Sequence, residues 1–238
     1  MSKVAAIIFA GGSGVRMGAE LPKQFIEVEG RPVIIHTLDI FEKSGVIDDI
    51  FIACKEDYID TLNELIAEYS ISKVRSVVPG GTSALGSQYN GLAEAAKYCD
   101  EDTIVIIHDG VRPCIDDELI RRAVEVAEEK GAVVTCTPMF ETPVLSTGGE
   151  IVEKIPARSD CYTAQAPQAF RLGELKAAHE QVRPDNPEYT GLVDSGSLLM
   201  SLGREVAIIK GPRSNIKVTT PEDLYIFRAM LEYRRAEK

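Results

Sequence analysis

The sequence predicts an α/β fold built on a doubly wound, mostly parallel sheet, in one domain spanning residues 1–238. Three observations predict it. A short apolar run beginning at Val4 reads as a buried parallel strand and ends abruptly in Gly11, Gly12 and Gly14. Strand-like and amphipathic segments then alternate, the rhythm of parallel strands joined by helices. Finally, 238 residues, 45% of them hydrophobic, can fill one sizeable core.

The elements follow in order. Residues 32–43 carry Ile34, Ile35, Leu38 and Phe41 at helical spacing, and 49–53 read as a short apolar strand. A second amphipathic helix is expected over 58–68, a strand over 74–78, and a helix over 88–97 after a loop rich in glycine and hydroxyls. Four consecutive β-branched residues, Ile104 to Ile107, describe a central strand. A helix over 116–130 and a strand over 132–137 continue the pattern. Over 138–159 the rhythm lapses, and two short strand-like runs joined by Gly148-Gly149 predict a protruding β-hairpin arm. A lone hairpin is marginal in water and presents open edges, so the arm is expected to pack, most simply on a second copy of itself. Pro167 interrupts the block Gln165-Ala166-Pro167-Gln168-Ala169-Phe170, which predicts a packed loop leading into a helix over 173–182. A strand over 206–209 and a short strand bearing Lys217 come last before the terminal helix. Thr220 as N-cap, Pro221 at the first helical position and the acids Glu222 and Asp223 start that helix, which runs to about Arg235.

Composition removes several function classes. With 26 Lys+Arg against 37 Asp+Glu the net charge is −11, which disfavours a nucleic-acid partner held by bulk electrostatics. No apolar run approaches the length of a membrane span, and Met1-Ser2-Lys3 leads straight into a core strand without a signal-peptide layout. A cytoplasmic protein with no membrane partner is expected. Five cysteines with no Cys-x-x-Cys pair read as reduced packing residues; Cys114 and Cys161 lie near motif residues, but nothing local marks an activated thiolate. The three histidines show no metal-ligand spacing, and His108 reads as a positioned structural residue.

An acidic protein that binds an anion must gather its cations locally. The first loop does so: Ala10, Gly11, Gly12, Ser13 and Gly14 can point backbone N–H groups at a phosphate, while Arg16 and Lys23 supply charge. The same glycines could instead form a plain turn with two solvent-facing cations. The spacing fits neither a dinucleotide fingerprint nor a P-loop. A second glycine-rich loop, Pro79 to Ser87, suits the edge of a base or ribose, or is an ordinary connection capped by Thr82 or Ser83. Asp109, ending the central strand, can hold a divalent cation against a bound triphosphate, or cap the Asp-Gly turn that follows.

Together with Leu21-Pro22-Lys23-Gln24-Phe25, the first loop resembles the signature of nucleotidyltransferases, narrowed to the cytidylyltransferases acting on 2-C-methyl-D-erythritol 4-phosphate or ribitol 5-phosphate. Later blocks match in order across essentially the whole chain, including His108-Asp109-Gly110-Val111-Arg112-Pro113, Gln165 to Phe170 and Asn215-Ile216-Lys217. The resemblance implies a Rossmann-like nucleotidyltransferase fold, CTP and a polyol phosphate as substrates, Mg2+ at Asp109, and Arg16, Lys23 and Lys217 as catalytic cations. It places the first-loop residues Ala10 to Gly14, with Gly81, Thr82 and Ser87, on the nucleotide, and Arg112, Thr142, Arg158 and Asp194 on the acceptor. It also implies a homodimer whose arms, carrying Thr142 and Arg158, complete shared active sites. The form Ile-Pro-x-Arg at 155–158, with Tyr162 and Phe170-Arg171, is closer to the ribitol 5-phosphate enzymes.

This chain departs from the family pattern at several places. Thr82 stands for an acidic residue, Ala84 for an arginine, and Ala166 and Val193 for threonines. Those changes motivate one alternative of another class, a nucleotide-binding regulator without turnover. The retained charges Arg16, Lys23, Asp109 and Lys217 argue for the enzyme.

Overall fold

The computed structural model describes residues 2–12 and 21–236; Ser13, Gly14 and Arg16 lie outside the described residues. The elements in chain order are β1 (Val4–Ala10), β2 (Glu27–Val28), β3 (Arg31–Pro32), α1 (Val33–Lys43), β4 (Asp49–Cys54), α2 (Ile59–Glu68), β5 (Val74–Pro79), α3 (Ala84–Ala95), β6 (Ile104–Asp109), α4 (Asp117–Lys130), β7 (Ala132–Pro138), β8 (Tyr162–Arg171), α5 (Leu172–Val182), α6 (Ser195–Ser201), β9 (Ala207–Lys210) and α7 (Pro221–Ala236). Seven strands form one sheet in the order β5-β4-β1-β6-β8-β7-β9, and β2 pairs with β3 in a small separate ribbon. In the large sheet β8 runs antiparallel to both its neighbours, while the other pairings are parallel. The expected doubly wound, mostly parallel fold is what the chain forms.

β1 shows why. Its side chains alternate between two cores: Val4, Ala6, Ile8 and Ala10 pack with α1 and α4, whereas Ala5 and Ile7 pack with α3 and α5. A strand apolar on both faces must be covered on both, and full burial of Ile7 or Ile8 contributes roughly 1.5–3 kcal/mol. A third, smaller core joins Val28 and Val33 to Phe227, which seats α7 against the β2–β3 ribbon.

Three expectations change. The Gln165–Phe170 block is a central strand rather than a loop. Ala166 and Pro167 have no place in the β7 register, which passes from Val134–Gln168 to Thr135–Gln165, so the proline sits in a bulge where its missing N–H breaks no ladder bond. The Ala166-Pro167 bond is cis, and Thr135 Oγ1 donates to the Pro167 carbonyl at 2.6 Å. Lys217 lies on an extended segment outside any strand. The arm over 138–159 turns back at Gly149, with φ +76°, but its ladder is one isolated bridge between Leu145 and Lys154. Too few cross-strand bonds form to make two strands.

Helix starts follow their caps. α3 begins at Ala84, earlier than expected, because the Ser83 side chain accepts from Gly86 N. α6 was not anticipated; Asp194 caps it, with Ser197 completing a reciprocal box. α7 begins at Pro221 as expected.

Two buried histidines give the fold a pH dependence. Burial, aided by Arg183, pushes the His179 imidazole down to about 3, and burial pushes His108 down to about 4. Below the ordinary histidine value of 6.5 the unfolded chain takes up protons that the folded chain refuses, so stability is lost as pH falls from 6.5 toward 3. At pH 5 His179 alone should cost about 2 kcal/mol. Urea unfolding of His179→Gln, compared at pH 7 and pH 5, should therefore show a loss smaller than wild type by about that amount; equal losses would mean His179 is not the source.

Candidate active site

Two cavities open side by side at the carboxyl ends of the central strands, where the crossovers from β1 and β6 part toward opposite edges of the sheet. The first, about 430 Å3, is bounded by Gly11 and Gly12 at the end of β1, Lys23 from a short 3-10 turn, and Gly81, Thr82 and Ser87 at the start of α3. The second, about 220 Å3, is bounded by Arg112, Gln88, Gln165, Gln168 and Asp194. Asp109 and Lys217 belong to both and form the wall between them.

Local folding positions each group. The Gln24 side chain donates to the Ala10 carbonyl at 2.7 Å, tying the 3-10 turn to the end of β1 and bringing buried Lys23 beside Gly12. Ser87 Oγ accepts from Gly81 N at 3.0 Å and donates to the Ser83 carbonyl at 3.0 Å, so this predicted nucleotide contact also braces its own loop. Gly81 is required there, since a Cβ would stand 2.6 Å from the Gly86 backbone. The Thr82 hydroxyl donates to Glu188 Oε2 at 2.9 Å.

Asp109 is the electrostatic centre. Its Oδ1 lies 2.5 Å from Lys217 Nζ and its Oδ2 2.8 Å from Arg112 Nε. Burial alone would push its carboxyl up, but the Lys217 and Arg112 charges outweigh that and hold it below the ordinary carboxylate range. Arg112 also donates to the Asn215 carbonyl at 3.0 Å. Asn215, 1% exposed, donates to the Ala166 carbonyl at 2.6 Å and to Gln165 Oε1 at 3.2 Å, pinning the segment that carries Lys217 to the β8 bulge.

His108 is fully buried, shares a 3.1 Å hydrogen bond with the Arg112 carbonyl, and is neutral at pH 7, as a structural residue should be. Cys114 is buried and its thiol is pushed up to about 11 by burial, which leaves no activated thiolate. Among the described residues no group of three His, Cys, Asp or Glu side chains could hold a metal. Asp109 is a single hard oxygen donor whose oxygens already pair with Lys217 and Arg112; a magnesium ion there would use their remaining lone pairs and take the rest of its shell from phosphates and water.

Of the predicted residues, Ala10, Gly11, Gly12, Lys23, Gly81, Thr82, Ser87, Asp109, Arg112, Asp194 and Lys217 line one cavity or both. Thr142 and Arg158 are exposed on the arm and line neither; Arg158 Nη1 donates to the Phe140 carbonyl at 3.2 Å. Asp194 is less free than expected, since Oδ1 accepts from Ser197 N and Oδ2 from Gln168 Nε2, both at 2.8 Å. Sequence reasoning missed the buried amides Gln24, Gln88, Gln165, Gln168 and Asn215. The available signal was amide side chains inside otherwise apolar or motif-bearing stretches. A larger cavity of about 630 Å3 lies at the opposite, amino ends of the strands, where Asp49 already pairs with Lys3 and Arg75.

Comparison with known proteins places this geometry. Residues 4–233 match the family model described as IspD, 2-C-methyl-D-erythritol 4-phosphate cytidylyltransferase. The chain is 42% identical to a ribitol-5-phosphate cytidylyltransferase of Vibrio parahaemolyticus, covering 95% of each chain. It is 39% identical to a 2-C-methyl-D-erythritol 4-phosphate cytidylyltransferase of Geotalea uraniireducens, covering 99% of this chain and all of the other. The crystal structure of 4-diphosphocytidyl-2C-methyl-D-erythritol synthase from Anaerococcus prevotii superposes with a TM-score of 0.82 at 31% identity, covering 97% of this chain and 96% of the other.

Truncating Asn215 should test how the wall is held. Asn215→Ala strands the Ala166 carbonyl in the interior and should lower unfolding free energy by about 1–3 kcal/mol. A urea unfolding curve superposable on wild type would show that these bonds do not support the wall.

Proposed function

The chain belongs to the 2-C-methyl-D-erythritol 4-phosphate cytidylyltransferase family, and from that premise we propose that it transfers CMP from CTP to the phosphate of D-ribitol 5-phosphate, releasing pyrophosphate. The observation that carries this reading is the common wall: one buried carboxylate and one lysine stand between a glycine-lined cavity and a smaller polar one. A nucleoside triphosphate and a phosphorylated polyol would meet there. The relative at 42% identity and the Ile155-Pro156-Ala157-Arg158 block favour ribitol 5-phosphate; the Geotalea relative favours 2-C-methyl-D-erythritol 4-phosphate as the second reading.

In this mechanism an acceptor phosphate oxygen attacks the α-phosphorus of CTP in line, the new O–P bond forms as the bond to the β-phosphate oxygen breaks, and pyrophosphate leaves. No covalent enzyme intermediate is needed, so the protein contributes positioning and charge neutralisation. Lys23 and Arg16 hold the triphosphate, Lys217 faces the charge that builds at the transferred phosphorus, and Arg112 holds the acceptor phosphate. Gly81, Thr82 and Ser87 seat the base. Magnesium at Asp109, when bound, supplies charge to the triphosphate and orders its oxygens. Among the described residues no helix is long and apolar enough to cross a membrane.

The arm completes the site in trans. Val144, Leu145, Ile151, Val152 and Ile155 are all more than half exposed on it, apolar surface that a second copy would cover. Thr142 and Arg158 then enter the partner's acceptor cavity, which explains why they line none in their own chain.

Pyrophosphate release with CTP and magnesium, run in parallel on ribitol 5-phosphate and 2-C-methyl-D-erythritol 4-phosphate, should favour the first; silence on both would support a nucleotide-binding regulator. Lys23→Ala should lower kcat by roughly 100-fold, while Arg158→Ala should raise the acceptor KM about tenfold with a smaller change in kcat. Equal loss of both parameters in the two variants would contradict these roles. Mixed dimers of Lys23→Ala and Arg158→Ala subunits should regain activity, because one of their two shared sites carries neither lesion. No recovery on mixing would mean that each site is built from one chain.

A further inference from the structure

Two buried glutamines in the smaller cavity have no part in the chemistry described above. Gln88 on α3 and Gln168 on β8 are 3% and 6% exposed, and both line that cavity. Each is held at one end by successive residues at the start of α6. Ser195 Oγ donates to Gln88 Oε1 at 2.6 Å, and Asp194 Oδ2 accepts from Gln168 Nε2 at 2.8 Å. The other ends are open: Gln168 Oε1 is buried with no hydrogen-bond partner, while Ser195 takes only the oxygen of Gln88 and leaves its nitrogen to the cavity that this residue lines.

Leaving a buried polar atom unpaired costs roughly 1–3 kcal/mol, so the Gln168 oxygen in this cavity wall calls for a ligand that pairs it. The cations of the cavity, Arg112 and Lys217, suit the acceptor's phosphate. A hydroxyl is the group that can both donate to the Gln168 oxygen and accept from the Gln88 nitrogen. We propose that Gln88 and Gln168 read the hydroxyl groups of the acceptor's carbon chain and that Asp194 and Ser195 set their orientation. The inference rests on the smaller cavity being the acceptor site, and it names the residues by which that site tells a polyol phosphate from a bare alkyl phosphate. Discrimination of this kind is strong because a ligand lacking the hydroxyls leaves the amides unpaired.

The test is calorimetric titration of ribitol 5-phosphate, and of n-pentyl phosphate as the same chain without hydroxyls, into protein loaded with a non-hydrolysable CTP analogue and magnesium. In Gln88→Met and in Gln168→Met, ribitol 5-phosphate should bind about tenfold more weakly, while pentyl phosphate stays within about twofold and the CTP analogue still raises the unfolding temperature. Ser195→Ala, which keeps Gln88 but frees it, should give a smaller loss of the same kind. Unchanged ribitol 5-phosphate affinity in both Met variants, or equal weakening of the two ligands, would overturn the proposal. A wild-type protein that neither binds ribitol 5-phosphate nor releases pyrophosphate with it would instead strike the acceptor assignment on which the proposal stands.

Discussion

The buried carboxylate of Asp109 is the constraint on which the rest of the site depends. A charge inside a protein is costly unless paired, and removing either partner of such a pair leaves the other exposed to that cost. Asp109 meets the requirement with two cations drawn from distant points in the chain: Arg112 from the turn after β6, and Lys217 from the segment before α7. Pairing the carboxylate therefore also closes the fold, since it draws the segment leading into α7 onto the end of a central strand. Val218 continues that attachment by donating its N–H to the Val111 carbonyl at 2.9 Å.

The same arrangement is suited to phosphate chemistry. Two cations held by one carboxylate present their remaining donors at fixed positions without crowding the cavities with unpaired positive charge. A polyphosphate entering beside them meets groups already oriented, which is where electrostatic catalysis gains most.

Much of this could be read from the residues. The alternation of strands and helices was legible because β1, β4 and β6 each carry an unbroken apolar run, as strands covered on both faces do. Asp109 was legible because it ends such a strand, whereas Lys23, Arg112 and Lys217 were legible from the motif blocks that carry them. What was hidden shares one cause: a tertiary partner overrides a local signal. Pro167 argues against a strand until a bulge in the β7 pairing absorbs it. Asp194 lines the smaller cavity, yet its sequence gives no sign that Ser197 and Gln168 each bind one of its oxygens. The arm looks like two strands, yet within one chain its ladder is the Leu145–Lys154 bridge, helped by Thr147 donating to Glu153. The buried amides carry no periodic mark at all, because their partners lie tens of residues away.

The burial of β1 on both faces has a consequence for where the glycine loop can be. A strand with one wet face is locked in register by its pattern, since a shift of one residue would turn its apolar side chains into water. β1 has no such lock; shifted by one, it would still present apolar groups to both cores. Its alignment is held instead by its ends. Val4 N donates to Asp48 Oδ2 at 2.9 Å and Lys3 pairs with Asp49 at one end, while Gln24 grips the Ala10 carbonyl at the other. These few polar contacts act as the stops of a sliding rule: a slip of one position would carry Gly11 about 3.3 Å along the strand axis and detach the phosphate loop from Lys23 and Asp109.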